Sequence, residues 1–132
     1  MKKMSLTILI TLLTLRLSAP VFEGAIIMQG EPIAPFESIW RAVTMVESSG
    51  DAYAYNAKEG ATGIAQIRQV RIDDYNKRAG TNYRLSDMYN PELSKRVFMY
   101  YADPYDMDGS IMRWNGSGRQ TVIYLNKVKN LL

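Results

Sequence analysis

Residues 35–50, PFESIWRAVTMVESSG, read as one helix carrying an acid where an apolar side chain belongs. Phe36, Trp40 and Val43 fall at i, i+4 and i+7, and Glu47 continues the same stripe at i+11, with Ile39 and Val46 widening it. Pro35 suits a first helical position, and Gly50 suits the left-handed residue that ends a helix. A carboxylate on the inward face of a last turn loses water and lies near the negative end of the helix dipole. Both effects raise its pKa, the condition under which a carboxylic acid holds a proton near neutral pH and can act as a general acid. The alternative is a frayed helix end with Glu47 pointing to water.

Working outward, the first twenty residues stand apart. Lys2 and Lys3 precede an apolar run from Leu6 to Leu15, and small residues follow at Ser18 and Ala19. This is the plan of a secretory signal, and the run is short for a mature membrane span. Arg16 interrupts it and Pro20 would follow a cut after Ala19, so a retained membrane tether through residues 4–19 is the alternative. With no cysteine there is no lipoprotein attachment site and no disulfide framework, and export without disulfides favours a bacterial or phage envelope, including the periplasm, over a eukaryotic secreted domain. Residues 21–34, with two glycines and one proline, read as a linker or arm, leaving 35–132 as one domain.

Three of the 16 Lys and Arg lie in the first twenty residues, which hold no acid, so 13 basic residues face 13 acidic ones in the remainder. A formally neutral domain removes the electrostatic support for a nucleic-acid partner. The chain has no histidine, which excludes Ser-His and Cys-His catalysis and the usual zinc sites. Carboxylates, amides, hydroxyls and aromatics remain, an inventory that suits an uncharged polar substrate such as a glycan. No cofactor and no metal are expected. Asp106-Met107-Asp108-Gly109 resembles part of a calcium loop, but placing Gly109 sixth puts Pro104 first and Asn115 twelfth, where Asp and Glu are required.

The remaining elements are helical, with few strand signals. Residues 50–67, GDAYAYNAKEGATGIAQI, are dense in Gly and Ala without sustained periodicity and read as a structured loop able to form one wall of a cleft. A helix over 67–80 turns Ile67, Val70 and Tyr75 inward and stops at Gly80. Asn90-Pro91-Glu92 opens a helix carrying Leu93, Val97, Tyr100 and Tyr101, closed by Asp103-Pro104. A short helix over 109–114 precedes a last one over 120–131, with Val122, Leu125, Val128 and Leu132 on one side.

Glu47-Ser48-Ser49, then Gly60-Ala61-Thr62-Gly63-Ile64-Ala65-Gln66-Ile67, then Trp114-Asn115-Gly116 resemble three successive motifs of the soluble lytic transglycosylase family. That family shares a lysozyme-like fold with goose-type lysozymes. Its motifs run roughly Glu-Ser, Gly-x-x-Gly-x-x-Gln-Ile and Ala-Tyr-Asn-x-Gly. Asn90-Pro91-Glu92-Leu93 is similar to the family's Asp-Pro-Glu helix start, which puts Tyr101 at the family's inward tyrosine. The resemblance spans about residues 36–131 and implies a mainly α, lysozyme-like domain with little or no strand.

It also implies peptidoglycan glycan strands as substrate and cleavage of the β-1,4 bond between N-acetylmuramic acid and N-acetylglucosamine, with Glu47 as acid and then base. The substrate's own N-acetyl group stabilises the cation, its 6-hydroxyl attacks, and a 1,6-anhydro product forms without water. Ser48, Gln66, Tyr101, Trp114 and Asn115 are the implied substrate-binding residues, and Gly60 and Gly63 are scaffolding that permits positive φ or close backbone approach. Two departures stand out. Trp114 replaces a tyrosine, so an indole that donates but cannot accept takes the phenol's place. Ala65 replaces a methionine, which is expected to open the pocket wall.

The alternatives are a muramidase and a non-catalytic glycan-binding or assembly module. A hydrolase needs a second carboxylate roughly 5 to 9.5 Å from the first. Asp51 is the first candidate for it, followed by Glu59, with Asp73 and Asp74 on the next helix. Transglycosylases also open gaps in the wall for envelope-spanning machines and phage particles, so the enzyme and assembly readings are compatible.

Overall fold

The computed structural model describes residues 35–132, and the expected export leader and arm over residues 1–34 lie outside the described residues. Helix α1 (Pro35–Ser48) buries Ile39, Trp40, Ala42, Val43 and Thr44 on one face. Two successive left-handed residues end it, Ser49 at φ 57° and Gly50 at φ 79°. Their N–H groups turn back to the carbonyls of Met45 (3.1 Å) and Thr44 (3.2 Å), which satisfies two of the last-turn acceptors.

The glycine-rich loop contains a minimal hairpin. Strand β1 (Tyr55–Asn56) pairs antiparallel with β2 (Ala61–Thr62), Tyr55 opposite Thr62 and Asn56 opposite Ala61. The chain then doubles back, and Thr62 and Ile67 exchange N–H···O bonds of 2.9 Å in both directions.

Helix α2 (Gln69–Ala79) starts two residues later than the sequence indicates, which shifts its inward face. Ile67 is buried, but ahead of the helix; Ile72 and Tyr75 form the buried face, and Val70 is 71% exposed rather than inward. Gly80 caps the helix in the left-handed region at φ 66°, as expected. A 3-10 helix (Leu85–Tyr89), absent from the sequence reading, carries the fully buried Met88.

Helix α3 (Pro91–Tyr101) has the expected cap: the Asn90 side chain accepts from the N–H groups of Glu92 (2.9 Å) and Leu93 (3.4 Å). Its buried residues are Ser94, Val97 and Phe98, while Tyr100 is nearly half exposed. Helix α4 (Met107–Asn115) is longer than expected because Asp106 caps it, accepting from Gly109 N at 3.0 Å while its other carboxylate oxygen takes Arg113 at 2.8 Å.

Helix α5 (Gln120–Lys129) packs on α4 and α1 and presents a different face from the one expected. Thr121, Tyr124 and Val128 are buried, whereas Val122 and Leu132 are 49% and 60% exposed.

An aromatic line ties these helices together. Trp40 of α1 meets Phe98 of α3 at 5.5 Å between ring centroids, and Phe98 meets Trp114 of α4 edge-on at 5.0 Å. Burying each such ring contributes roughly 1.5–3 kcal/mol, with somewhat more from the offset geometry. The result is a mainly α domain whose small hairpin sits beside the end of α1. Among the described residues, no helix is long and apolar enough to cross a membrane.

Candidate active site

The end of α1, the hairpin, the start of α2 and the end of α4 enclose a cleft of about 560 Å³. Glu47 lines it, half-buried. The phenol of Tyr124 donates to Glu47 Oε1 at 2.6 Å. Burial pushes the Glu47 pKa up. The Tyr124 hydrogen bond and the Arg68 charge oppose that shift, and the Glu59 charge adds to it. The net shift is upward, so desolvation outweighs the groups that favour the carboxylate. Burial, the Glu47 charge and the same hydrogen bond push the Tyr124 pKa far up, so the phenol keeps its proton and acts as a donor.

Gln66 occupies the cleft wall in a left-handed conformation, φ 49°, which costs a non-glycine residue about 1–2 kcal/mol. Its amide nitrogen donates to Gly63 O at 3.0 Å and Ala54 O at 3.4 Å, which fixes the side chain and leaves its oxygen as the acceptor at the wall. Asn56 and Ala61 bring the hairpin to the same cleft. Asn115, exposed at the end of α4, closes the far side.

A model of the transglycosylase SLT domain matches residues 27–102. The chain belongs to the transglycosylase SLT family. No curated protein and no solved structure matches it. At the family level this is a peptidoglycan-cleaving domain with a lysozyme-like helical fold. The matched segment carries Glu47 and Gln66, while Trp114, Asn115 and Tyr124 lie past its end on α4 and α5.

Within this SLT domain, Glu47, Gln66, Trp114 and Asn115 meet at the cleft, and Ser48 and Tyr101 stand behind it. Ser48 Oγ donates to Ile64 O at 2.8 Å and Thr44 O at 3.3 Å, clamping the loop after β2 to the end of α1. Tyr101 donates to Asp74 Oδ2 at 2.7 Å, and burial followed by that contact pushes its pKa up to about 12.

Trp114 reaches the wall but is only 8% exposed, with the Arg71 guanidinium 5.1 Å from its ring centre. That cation, rather than an open ring face, is what the indole offers the cleft. Ala65 is fully buried in the core, so losing the family's methionine does not open the wall as expected.

The carboxylates sort differently from the sequence order. Asp51 accepts from Tyr53 N at 2.8 Å and Asp73 from Gln69 Nε2 at 2.8 Å, and neither lines the cleft. Glu59 and Asp74 do. Glu59 lies 4.0 Å from Arg68, and Asp74, held below the usual carboxylate range by Arg78 and then Tyr101, is already engaged. Tyr124 is the residue that sequence reasoning missed. Its signal was one aromatic at i+3 from Thr121 and i−4 from Val128, which a count of apolar spacing passes over.

Proposed function

We propose that the chain is a lytic transglycosylase of peptidoglycan in which Glu47 serves as both acid and base. The observation supporting this is the half-buried carboxyl in the cleft, its pKa raised, with a phenol donating to one oxygen. Because Tyr124 donates to Oε1, the proton of the neutral acid resides on Oε2. That proton passes to the glycosidic oxygen as the bond to the muramic acid C1 breaks. The N-acetyl carbonyl of the same sugar stabilises the cation. The 6-hydroxyl then attacks C1 and returns its proton to Glu47, closing the 1,6-anhydro ring with no net use of water.

Gln66 and Asn115 would hold the sugar through its amide and hydroxyl groups. The same reading takes residues 1–20 as the export leader or anchor, 21–34 as an arm and 35–132 as the catalytic domain, acting in the envelope.

Mass spectrometry of fragments released from purified peptidoglycan tests the proposal. Ends of 1,6-anhydro-muramic acid, lost in Glu47→Gln, are the expected product. Ordinary reducing ends would instead make the protein a muramidase. Glu59, which lines the cleft beside Arg68 and, unlike Asp74, is not engaged with Arg78 and Tyr101, would then be the water-activating base, and Glu59→Gln would abolish those products. Bound glycan with no products would leave a glycan-binding module.

Tyr124→Phe separates the phenol's two effects. Its hydrogen bond favours the ionised Glu47, so removing it raises the Glu47 pKa further. The alkaline limb of the pH–rate profile is expected to move to higher pH, while the maximal rate falls about tenfold as the acid loses its fixed orientation. A limb that moves to lower pH would contradict the assignment.

A further inference from the structure

The glycan backbone carries no charge, yet the cleft wall supplied by α2 does. Arg68 is loosely matched by Glu59 at 4.0 Å. Asp74 is paired with Arg78 at 2.9 Å and takes the Tyr101 hydroxyl. Arg71 is held in another way. Its Nη2 donates to the last-turn carbonyls of Arg113 (3.3 Å) and Trp114 (3.4 Å) of α4. Its guanidinium carbon lies 4.7 Å from the Tyr101 ring centre and 5.1 Å from that of Trp114.

Two carbonyls and two aromatic faces fix the cation, and the Asp74 charge that reaches it is already paired with Arg78 and the Tyr101 hydroxyl. Among the described residues, no carboxylate lies within ion-pair distance of Arg71. The planar guanidinium has five N–H donors, and the two carbonyls engage Nη2 alone, so Nε and Nη1 remain for a ligand. Arg71 lines the cleft together with Glu47.

We infer that Arg71 is the carboxylate-recognising group of the cleft, binding the acid that muramic acid carries on its 3-O-lactyl branch. This inference rests on the proposed function for its substrate class. The carboxylate has two sources: the lactyl group itself in a glycan stripped of peptide, or the acidic residues of an attached peptide. Chito-oligosaccharide, made of N-acetylglucosamine alone, has neither. A fixed, partly desolvated guanidinium would therefore distinguish muramyl glycan from chitin within one cleft.

The test is calorimetric binding to the full chain carrying Glu47→Gln, with three ligands of equal sugar length: a chito-oligosaccharide, a peptide-free muramyl glycan and a peptide-bearing one. The carboxylate ligands are expected to bind about tenfold more tightly than the chito-oligosaccharide, the usual size of a hydrogen-bonded charge contact. Preference for the peptide-free glycan assigns the lactyl carboxylate, and preference for the peptide-bearing one assigns the peptide. Adding Arg71→Gln should reduce both to the affinity of the chito-oligosaccharide.

Equal loss for all three ligands would make Arg71 only a cap on α4 and overturn the inference. So would undiminished discrimination. Should Arg71→Gln fail to fold, esterifying the ligand carboxylate performs the same subtraction on the Arg71-containing protein, and a preference surviving esterification overturns the inference. Binding is read apart from cleavage. Discrimination by the Glu47→Gln chain alongside an inert native chain would sink the transglycosylase reading and leave the subsite standing.

Discussion

Replacing Glu47 by Gln is expected to lower peptidoglycan cleavage by about a thousandfold or more while leaving the fold intact. General acid–base catalysis contributes about 10²–10⁴ in rate. In the proposed mechanism the same carboxyl serves both proton transfers, so the upper part of that range applies. The amide keeps the size of the side chain and can still accept from Tyr124.

Stability should move the other way. The folded-state pKa of Glu47 is raised, so its contribution is fully present below the ordinary value of 4.5 and is lost as pH rises through the folded-state pKa. An uncharged amide escapes that loss. Glu47→Gln is therefore expected to melt at or above the temperature of the native protein at pH 7, and to match it at pH 4. A thermal melt at both pH values with a glycan-release assay checks the pair. A variant that keeps its activity, or that loses it only by unfolding, removes Glu47 from the acid's role.

Gly63→Ala should be the most damaging small change in the hairpin. Gly63 sits at φ 78°, and a Cβ there would lie 2.0 Å from Met88 O and 2.8 Å from Met88 C. Neither atom can swing aside, because they are backbone of the 3-10 helix that carries a fully buried side chain. The same carbonyl oxygen accepts from the buried Ser94 hydroxyl at 2.7 Å, so displacing it strands a second polar group.

The left-handed conformation costs alanine about 1–2 kcal/mol, and the clash with the lost hydrogen bond should bring the total to about 3 kcal/mol or more. For a domain of this size, that lowers the melting temperature by roughly 15 °C. Gly60→Ala is the control. Gly60 is also left-handed, at φ 63°, but nothing lies within 4 Å of a Cβ there. It should lose only the conformational part. Equal losses at the two positions would refute the close-approach explanation.

The two glycines show what kind of information a sequence carries. Their left-handed backbone is local and was legible, as were the Asn90 cap, the Gly80 stop and the acid on the stripe of α1. The lysozyme-like fold and the family followed from motifs of that local kind. Which glycine is pressed against another segment was not legible, because the Met88 carbonyl comes from a helix that the periodicity did not reveal.

The faces of α2 and α5 failed for a related reason. A start displaced by two residues rotates the apolar set, exposing Val70 and burying Ile72. On α5, Val122 and Leu125 matched the spacing as well as Tyr124 did. Only packing against α1 decides that the phenol points to the acid. The motif order puts Tyr101 at an inward position, but its hydroxyl bonds Asp74 and its ring packs under Arg71, and it does not line the cleft.

The Glu47–Tyr124 contact joins residues 77 apart in sequence, at opposite ends of the described fold. The proposed proton donor depends on removal from water and on the Tyr124 hydrogen bond, and that hydrogen bond exists only when α1 and α5 have met. In an unfolded chain the same carboxyl lacks that burial and returns to the ordinary glutamate range. Under the proposed mechanism, wall cutting would thus wait on a contact between distant parts of the sequence, and a chain not yet folded would be inert without any inhibitor to restrain it.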